Sequence, residues 1–595
     1  MILNKHVCLL TTALALQLGI VKAQQNPVKL TLDSFEGNKG SWTEVGKVWA
    51  DPTVPNTLQS TDGSGILANL PSKKKAGVDI TSLEKYGDVD LSLEFLVAPE
   101  SNSGVYLQGN YEIQILDSWT TTTPKPGDNG GIYQRWDESK PDGQKGYQGY
   151  APRQNVSKAP GVWQKLEVSF QAPRFDAAGK KIENARFLSV KLNGVTIHEN
   201  LEVFGPTRGA MTGTDVALGP LRIQGDHGAV AFRNIEITPF DAAIPTVSNV
   251  SYETFQGSFT NLNELAGKTP NAKGTAPTLS EVPAAVSDVN LTKYTANLNV
   301  KEAGDYQLNL QVPGGLSGLA VGDESISTLT DRGVRVRKSL KAGDNTIHII
   351  ASKNRNWSVD GFNLSISGTG LRNTDLLISE AGASQETDPI LVDADETPVL
   401  RSFRDFPGVK RLSHVVSVAS KDQVNYAYDM ETGTLIQLWR GEFLDATPMW
   451  NNRGNGVSIP RGAVINLSAP AVNALSGDFI ASEEFRTKGY QLMDGSEDIE
   501  FKYQLAGQTV TDKIKMLDTG KGISRWVTGI SDGYYKVASG SQIQKIKPGY
   551  YLLPETGVYL EYDESTFGSP ITHATDGNEG IFLPAKGKIA YNLLF

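Results

Sequence analysis

The chain repeatedly alternates apolar and polar residues over short runs, and glycine, proline or asparagine residues separate these runs. Residues 91–97 and 187–192 are typical examples. A period of two places successive side chains on opposite faces of a β-strand, whereas an amphipathic helix needs a period near 3.6. The 60 glycines and 29 prolines provide many turns between such strands. We therefore predict an all-β chain.

A chain of 595 residues is long enough for several domains. Residues 24–242 are predicted to form a two-sheet sandwich, in which Asn193-Gly194 connects two strands as a tight hairpin. A joint rich in proline, serine and asparagine precedes a second β-rich domain, predicted at residues 250–370. Residues 371–595 are predicted to be a C-terminal β-rich domain of unknown role. The expected fold is thus a sandwich followed by two further β-rich domains.

Residues 1–23 have the pattern of a cleavable signal peptide, with Lys5, an apolar run and Ala23 at the cleavage position. The mature protein is then periplasmic or secreted. The single cysteine, Cys8, lies inside this segment, so the mature chain would contain no disulfide. No other stretch approaches the roughly 18 apolar residues of a membrane span. The net charge of −10 provides no basic surface for nucleic acid.

Residues 101–118 have the pattern of two strands joined by a tight turn at Gly109-Asn110. Three polar residues, Glu112, Gln114 and Asp117, lie on the second strand. Strict alternation places Glu112 and Gln114 on one face and Asp117 on the other. Because an unpaired carboxylate is costly in a core, we expect a concave, hydrated face that binds a polar ligand. A β-bulge between Gln114 and Asp117 would bring all three residues to that face.

Two further polar clusters lie in the same domain. The glycine-rich loop 127–135 contains Tyr133, and its glycines permit tight turns near a bound group. The segment 219–228 contributes four polar residues, Arg222 and Gln224 on one strand face and Asp226 and His227 at its end. Each cluster also has a structural interpretation, for example a Glu112–Arg222 ion pair or a turn histidine. Three clusters in one domain favour a binding or catalytic site.

Seven segments of the first domain, in order, resemble the 3-keto-disaccharide hydrolase family, formerly a domain of unknown function. They are residues 102–118, 131–133, 160–163, 172–176, 193–195, 219–228 and 232–235. The resemblance covers nearly the whole domain. It implies a curved jelly-roll sandwich similar to concanavalin-type lectins and glucanases.

The same resemblance implies a glycoside whose C3 hydroxyl has already been oxidised to a ketone, so an upstream sugar 3-oxidase is an expected pathway partner. The ketone acidifies the C2 hydrogen, a base removes that proton, the C1 substituent leaves, and water adds. We predict Glu112 as the base, with His227 as the competitor for base or acid. The predicted substrate-binding residues are Gln114, Tyr133, Arg222, Gln224 and Asp226.

Two other functions are compatible with the sequence. A conventional glycosidase would use Glu112 and Asp117 as its carboxylate pair. Gln114 disfavours this hypothesis, because similar glucanases carry an acid at that position. The domain could instead be a non-catalytic, glycan-binding lectin. The sequence also leaves open a divalent metal, either structural Ca²⁺ or catalytic, although no run of oxygen ligands specifies one.

The later regions carry weaker resemblances. Residues 252–259 open a domain that is similar to protective-antigen-type sandwiches and carbohydrate-binding modules. Residues 425–433 and 438–450 resemble segments found beside cytochrome and dehydrogenase domains in exported bacterial proteins. No chemistry follows from those two segments. No Cys-x-x-Cys-His motif is present in the sequence, so a covalent c-type haem is not expected.

Overall fold

The computed structural model describes residues 27–283, 289–355, 361–378, 388–451, 454–476, 484–493, 498–575 and 578–595. The predicted signal peptide, residues 1–23, lies outside these ranges. The regular structure is almost entirely antiparallel β-sheet, which confirms the all-β prediction. Within the described ranges, no helix has the length and apolarity needed to cross a membrane.

Contacts divide the chain into two compact units. One unit is formed by residues 240–386, and the other combines residues 27–239 with residues 387–595. The bounds of the three predicted domains remain a prediction. The two compact units are defined by contacts, and one of them joins two separate stretches of the chain.

The strands of residues 27–239 are short and closely spaced. They are β1 (Val28–Lys29), β2 (Phe35–Glu36), β3 (Trp42–Trp49), β4 (Gln59–Asn69), β5 (Ile80–Tyr86), β6 (Asp88–Val97), β7 (Asn102–Leu107), β8 (Tyr111–Leu116), β9 (Arg135–Trp136), β10 (Gly146–Tyr147), β11 (Gln164–Gln171), β12 (Arg174–Phe175), β13 (Lys181–Glu183), β14 (Ala185–Leu192), β15 (Val195–Val203), β16 (Gly219–Ile223) and β17 (Val230–Phe240). A 3₁₀ turn covers Leu32–Ser34.

Most of these strands form the expected two-sheet sandwich, while β9 with β10 and β12 with β13 form two separate two-stranded sheets. One sheet has the order β15-β14-β11-β6-β17-β4-β3, with β1 also pairing to β17, and the other has the order β2-β5-β16-β7-β8. Alternate side chains of both sheets meet in one apolar core, for example Phe95 and Phe170 from the first sheet and Val105 and Ile113 from the second. The opposite face of the five-stranded sheet is therefore free to carry polar residues.

The predicted hairpin at Asn193-Gly194 is confirmed. Leu192 pairs with Val195 across it. Asn193 and Gly194 both have positive φ, 52° and 83°. This backbone geometry matches the twist of the flanking strands and is tolerated best by asparagine and glycine.

Residues 240–386 form a second sandwich. Its strands are β18 (Thr246–Gln256), β19 (Ala272–Ala276), β20 (Asn290–Val300), β21 (Gly304–Gln311), β22 (Ser317–Val321), β23 (Val334–Leu340), β24 (Gly343–Lys353), β25 (Asn363–Gly368) and β26 (Leu371–Leu377), with 3₁₀ turns at Leu262–Leu265 and Leu279–Glu281. The sheets have the orders β19-β18-β20-β24-β22 and β23-β21-β25-β26. An apolar core lies between them.

The described residues from 388 onward form further antiparallel sheets. Their strands are β27 (Leu391–Val392), β28 (Val399–Phe406), β29 (Val409–Val418), β30 (Val424–Asp429), β31 (Thr434–Arg440), β32 (Leu444–Asp445), β33 (Ile459–Pro460), β34 (Ala463–Asn466), β35 (Ala474–Leu475), β36 (Phe485–Leu492), β37 (Ile499–Leu505), β38 (Gln508–Met516), β39 (Gly522–Thr528), β40 (Gly533–Ser539), β41 (Gln544–Lys547), β42 (Tyr550–Leu553), β43 (Val558–Tyr562), β44 (Ile571–Thr575), β45 (Asn578–Ala585) and β46 (Lys588–Leu594). Two short helices are α1 (Thr447–Asn451) and α2 (Glu564–Phe567).

The largest of these sheets has the order β36-β37-β38-β39-β46-β43-β42-β41, and a five-stranded sheet has the order β28-β29-β30-β31-β34. A large apolar core contains residues from both sheets. This core also encloses a charged pair, because Arg525 is 1% exposed and Asp512 is fully buried.

The first and last regions of the chain are joined by buried hydrogen bonds. The Trp119 indole donates to the backbone oxygen of Phe595 at 2.6 Å. The Tyr559 hydroxyl donates to the Pro160 oxygen at 3.0 Å, and the Gln154 amide donates to the Arg461 oxygen at 2.8 Å. These bonds, between residues more than 300 positions apart, explain why both regions belong to one compact unit.

Candidate active site

A row of polar side chains crosses the five-stranded sheet on the face opposite the core. Arg222 of β16 pairs directly with Tyr106 of β7, and Tyr106 pairs directly with Glu112 of β8. Directly paired residues project to the same face of a sheet. Glu112, Tyr106 and Arg222 are therefore neighbours, although Arg222 lies 110 positions after Glu112 in the sequence.

The glycine-rich loop extends this row past the edge of the sheet. Ile132 forms an antiparallel bridge with Ile113. The backbone N–H of Tyr133 donates to the backbone oxygen of Glu112 at 3.0 Å, and the backbone N–H of Gln114 donates to the backbone oxygen of Gly131 at 2.9 Å. The loop thus runs along β8 like a short strand. This register places Tyr133 on the same face as Glu112.

The carboxyl group of Glu112 is 2% exposed. It lies over Gly104, where an added Cβ would come within 2.3 Å of Oε1. Burial raises the pKa of Glu112 to about 8, while the Tyr106 hydrogen bond and the charge of Arg222 act to lower it. Burial dominates because an ionised carboxylate loses its hydration in this environment. Glu112 is consequently a carboxyl group that titrates near neutral pH.

Arg222 is 8% exposed and is held from three sides. Its guanidinium carbon lies 3.7 Å from the centroid of the Tyr106 ring. Its Nη2 donates to the Gly209 oxygen at 2.7 Å, and its Nε lies 3.5 Å from Oδ2 of Asp79. The cation is therefore fixed beside the Tyr106 hydroxyl and the Glu112 carboxyl group.

Two glutamines border the space above Gly104. Gln114 pairs directly with Gly104, and the backbone N–H of Gln224 donates to the backbone oxygen of Gly104 at 2.9 Å. Gln114 is 5% exposed. The side-chain oxygen of Gln224 is buried and has no hydrogen-bond partner among the residues that the structure describes. Because a buried polar atom is normally satisfied, this amide oxygen is available to a ligand hydroxyl.

Asp226 and His227 lie at the end of β16, and about half of each side chain is exposed. Nδ1 of His227 forms a hydrogen bond with Oδ1 of Asp226. The negative charge of Asp226 contributes to the raised pKa of Glu112, so this pair lies near the row. Because Nδ1 of His227 is bonded to the Asp226 carboxylate, Nε2 is the ring nitrogen that can interact with a ligand.

Asp117 does not join this group, and the predicted β-bulge is wrong. The pairing of β7 with β8 runs without a register shift from Tyr111 to Leu116. In a regular strand, residues five positions apart project to opposite faces, so Glu112 and Asp117 diverge. The Asp117 carboxylate instead accepts the backbone amides of Glu100 at 2.9 Å and Trp119 at 3.4 Å. It stabilises the chain at the end of β8.

The sequence patterns did not indicate Tyr106, Asp79 or the segment from Thr207 to Gly209 as part of the site. The turn between β7 and β8 contains Gln108, Gly109 and Asn110, since Leu107 pairs with Tyr111. A two-residue turn would have placed Leu107 opposite Glu112. The Thr207 hydroxyl accepts the Glu112 amide at 3.1 Å. Only the turn length could have indicated Tyr106, and no sequence signal indicates the other residues.

No group of three or more histidine, cysteine, aspartate or glutamate side chains suited to a metal occurs in the described ranges. The carboxylates near the row are Glu112, which burial keeps largely protonated at neutral pH, Asp79, which pairs with Arg222, and Asp226, which is hydrogen-bonded to His227. This donor set, protonated or already paired, does not fit a divalent cation.

Replacing Gly104 by alanine is expected to displace the Glu112 carboxyl group, because the new Cβ would overlap Oε1. Gly104 does not have a positive φ, so alanine adds no backbone strain there. We expect the turnover of a cleaved glycoside to fall about 100-fold while the melting temperature is nearly unchanged. Gly213→Ala is the control, since its Cβ would meet no atom within 4 Å. Equal activity of both variants would contradict this role of Gly104.

The first domain also matches a known protein family. Residues 30–238 match the family described as the 3-keto-alpha-glucoside-1,2-lyase-like domain. The match confirms the resemblance predicted for the first domain and supports a glycoside-cleaving function for it. The resemblances predicted for the later regions stay predictions.

Solved structures from Parabacteroides distasonis ATCC 8503, each described as a "putative glycosyl hydrolase", are similar to part of the chain. One is 26% identical, covers 36% of this chain and 84% of its own, and has a TM-score of 0.25. Another is 19% identical, covers 35% of this chain and 94% of its own, and has a TM-score of 0.22. TM-scores this low carry no weight for function. No curated protein matches the chain.

Proposed function

We propose that the first domain cleaves 3-keto-glycosides by removal of the C2 proton, elimination at C1 and hydration. The observation that carries this proposal is Glu112, a buried carboxyl group with a pKa of about 8 that lies beside Tyr106 and Arg222. The family match at residues 30–238 supports the same class of substrate.

The raised pKa makes Glu112 an effective base. A hydrogen next to a ketone is only weakly acidic, so a base with a pKa near 8 removes it better than an ordinary carboxylate. Near pH 8 about half of the Glu112 side chains are ionised. Glu112 takes the C2 proton, and the electron pair of the C–H bond forms an enediolate with its charge on the C3 oxygen.

Tyr106 and Arg222 supply donors for that charge. Arg222 presents the N–H donors of its guanidinium, and burial raises the pKa of Tyr106, so the Tyr106 hydroxyl keeps its proton. Both groups are already fixed before the substrate binds. Preorganised donors stabilise a developing oxyanion without paying for reorganisation.

The enediolate then expels the C1 oxygen, which leaves with the electron pair of the C–O bond. We propose that His227, whose imidazole is oriented by Asp226, donates a proton to this leaving oxygen. Water adds across the resulting unsaturated ketone, with hydroxide at C1 and a proton at C2, to complete hydrolysis. We assign the binding of the remaining hydroxyl groups to Gln114, Gln224 and Tyr133.

The proposed reaction depends on a source of oxidised sugar and on the location of the protein. The substrate needs an upstream oxidation of a sugar C3 hydroxyl, which a sugar 3-oxidase would provide. Export of the protein to the periplasm or the medium, through the predicted signal peptide, would place it with extracellular glycosides.

The position of Asp117 gives no support to the two-carboxylate alternative. Its carboxylate is occupied by two backbone amides at the end of β8. Glu112 is therefore left without a second carboxylate on β8 for a retaining or inverting mechanism.

The proposal is tested with 3-keto-trehalose and trehalose in D₂O. We expect cleavage of the keto-sugar alone, with deuterium at C2 of the released glucose derivative beyond the level of a control without enzyme. Cleavage of trehalose at a similar rate, or a product that retains hydrogen at C2, would show direct hydrolysis instead. Binding of both sugars without any product would indicate a lectin.

A further inference from the structure

We propose that the C-terminal region contains a second, non-catalytic site that binds a neutral oligosaccharide. The site is a half-open groove of about 710 Å³. Its principal lining residues come from β28, β29, β36 and the turn after β30, and are Arg401, His414, Glu431, Thr487, Tyr490 and Leu492. The groove is separate from the row on β7, β8 and β16, so this inference does not depend on the proposed reaction.

The groove gives a role to the segment 425–433, for which the sequence suggested no chemistry. The segment forms β30 and the turn that follows it. Asp429 is fully buried and fixes this turn. Its carboxylate accepts the Glu431 amide at 3.3 Å and the Thr432 hydroxyl at 2.6 Å, and its backbone oxygen accepts the Gly433 amide at 2.9 Å. The turn therefore presents Glu431 to the groove in a defined position.

One oxygen of Glu431 is already engaged. Oε1 lies 2.7 Å from Nδ1 of His414 and accepts the Ser413 hydroxyl at 3.2 Å. About half of the Glu431 side chain is exposed, and these bonds leave Oε2 for a ligand. Arg401, which lies on the groove wall, is exposed. The groove thus offers one acceptor carboxylate and one donor guanidinium.

Tyr490 supplies an aromatic surface. Its ring is half-buried and lies 5.9 Å from the Phe501 ring at an angle of 49°. Phe501 in turn stacks on Tyr428 at 3.7 Å. The Tyr490 ring is supported from the protein side, which limits its motion and favours stacking of a ligand on the groove side.

These groups together select the class of ligand. The Glu431 carboxylate and the Arg401 guanidinium line the same groove. Together they disfavour a ligand of high net charge of either sign, because one of the two groups would repel it. Planar charged groups accept from and donate to hydroxyl groups, and an aromatic ring stacks on an apolar ring face. A pyranose has both hydroxyl edges and apolar ring faces. The volume suits a chain of several sugar units, since ligand sites span roughly 300–1,000 Å³.

The test is isothermal titration calorimetry of the full chain with four neutral tetrasaccharides: maltotetraose, cellotetraose, laminaritetraose and xylotetraose. We expect at least one to bind. Tyr490→Ala and Glu431→Gln should each weaken that binding by about tenfold. The exposed carboxylate variant Glu396→Gln is the matched control and should bind as the original chain does. Arg222→Gln alters the proposed active site and should also leave this binding unchanged.

Two results would overturn the inference. One is the absence of binding to all four probes by the unaltered chain. The other is equal binding by the unaltered chain, Tyr490→Ala and Glu431→Gln, which would place the sugar elsewhere. Binding that is lost in Arg222→Gln but kept in the groove variants would assign the sugar to the proposed active site. A chain inactive on 3-keto-trehalose that binds through Tyr490 would refute the proposed reaction and leave the groove site standing.

Discussion

Replacement of Glu112 by glutamine is expected to lower kcat on a 3-keto-glucoside by about a thousandfold. The amide has nearly the same shape as the carboxyl group but cannot remove the C2 proton. Tyr106, Arg222 and the glutamines remain in place, so the KM should change little. The measurement is steady-state kinetics with 3-keto-trehalose, together with exchange of the C2 hydrogen in D₂O. Turnover within about fivefold of the unaltered chain would remove Glu112 as the base and leave His227 as the candidate.

The pH dependence of the reaction provides a second readout of the same residue. A base must be deprotonated, and the pKa of Glu112 is about 8. We expect kcat/KM to rise with pH as Glu112 loses its proton. A profile that falls with increasing pH through the same range would indicate that Glu112 acts as an acid.

The stability of Glu112→Gln separates lost catalysis from lost folding. Because the folded-state pKa of Glu112 lies above the ordinary value of 4.5, the folded state binds the proton more tightly than the unfolded state. The contribution of Glu112 to the stability of the unaltered chain should therefore decrease as pH rises from about 4.5 to about 8, by an amount of the order of a few kcal/mol. At pH 9 the glutamine variant should melt at a higher temperature than the unaltered chain, and at pH 4 the two should be similar.

The largest expected loss of stability comes from the charged pair in the C-terminal core. Arg525 donates from Nε to Oδ1 of Asp512 at 2.9 Å and from Nη2 to Oδ2 at 2.5 Å. The hydroxyls of Tyr535 and Tyr591 also accept from this guanidinium, at 2.7 and 3.0 Å. Asp512→Ala would leave a buried cation without a counter-charge. We expect the free energy of unfolding to fall by about 3–5 kcal/mol.

Chemical denaturation of the full chain measures this effect, followed through the transition that includes the C-terminal core. The matched control is Glu500→Gln, which removes a partly exposed ion pair between Glu500 and Lys502. Both residues lie on β37, the strand next to the one that carries Asp512. Its effect should be at most about 1 kcal/mol. The double variant Asp512→Leu, Arg525→Met should recover much of the loss, because an apolar pair leaves no uncompensated charge. A loss below about 1 kcal/mol for Asp512→Ala would mean that water or a shifted residue compensates Arg525.

Local patterns in the sequence determined several parts of this protein. The period of two predicted the all-β fold, and Asn193-Gly194 predicted its hairpin, since both depend on residues a few positions apart. Alternation also placed Glu112 and Gln114 on one face of β8. The order of the matching segments indicated the family that residues 30–238 match.

Only the tertiary structure decided which side chains surround Glu112 on the polar face of β8. Tyr106 faces Glu112 because the turn before β8 has three residues, and a change of one residue in a turn exchanges the two faces of a strand. Arg222 and Tyr133 reach Glu112 by pairing with distant strands, and Asp117 diverges because β8 has no bulge. The pKa of Glu112 depends on burial by segments remote in the chain. Likewise, the turn that holds Glu431 gains a role only where β36 brings Tyr490 beside it.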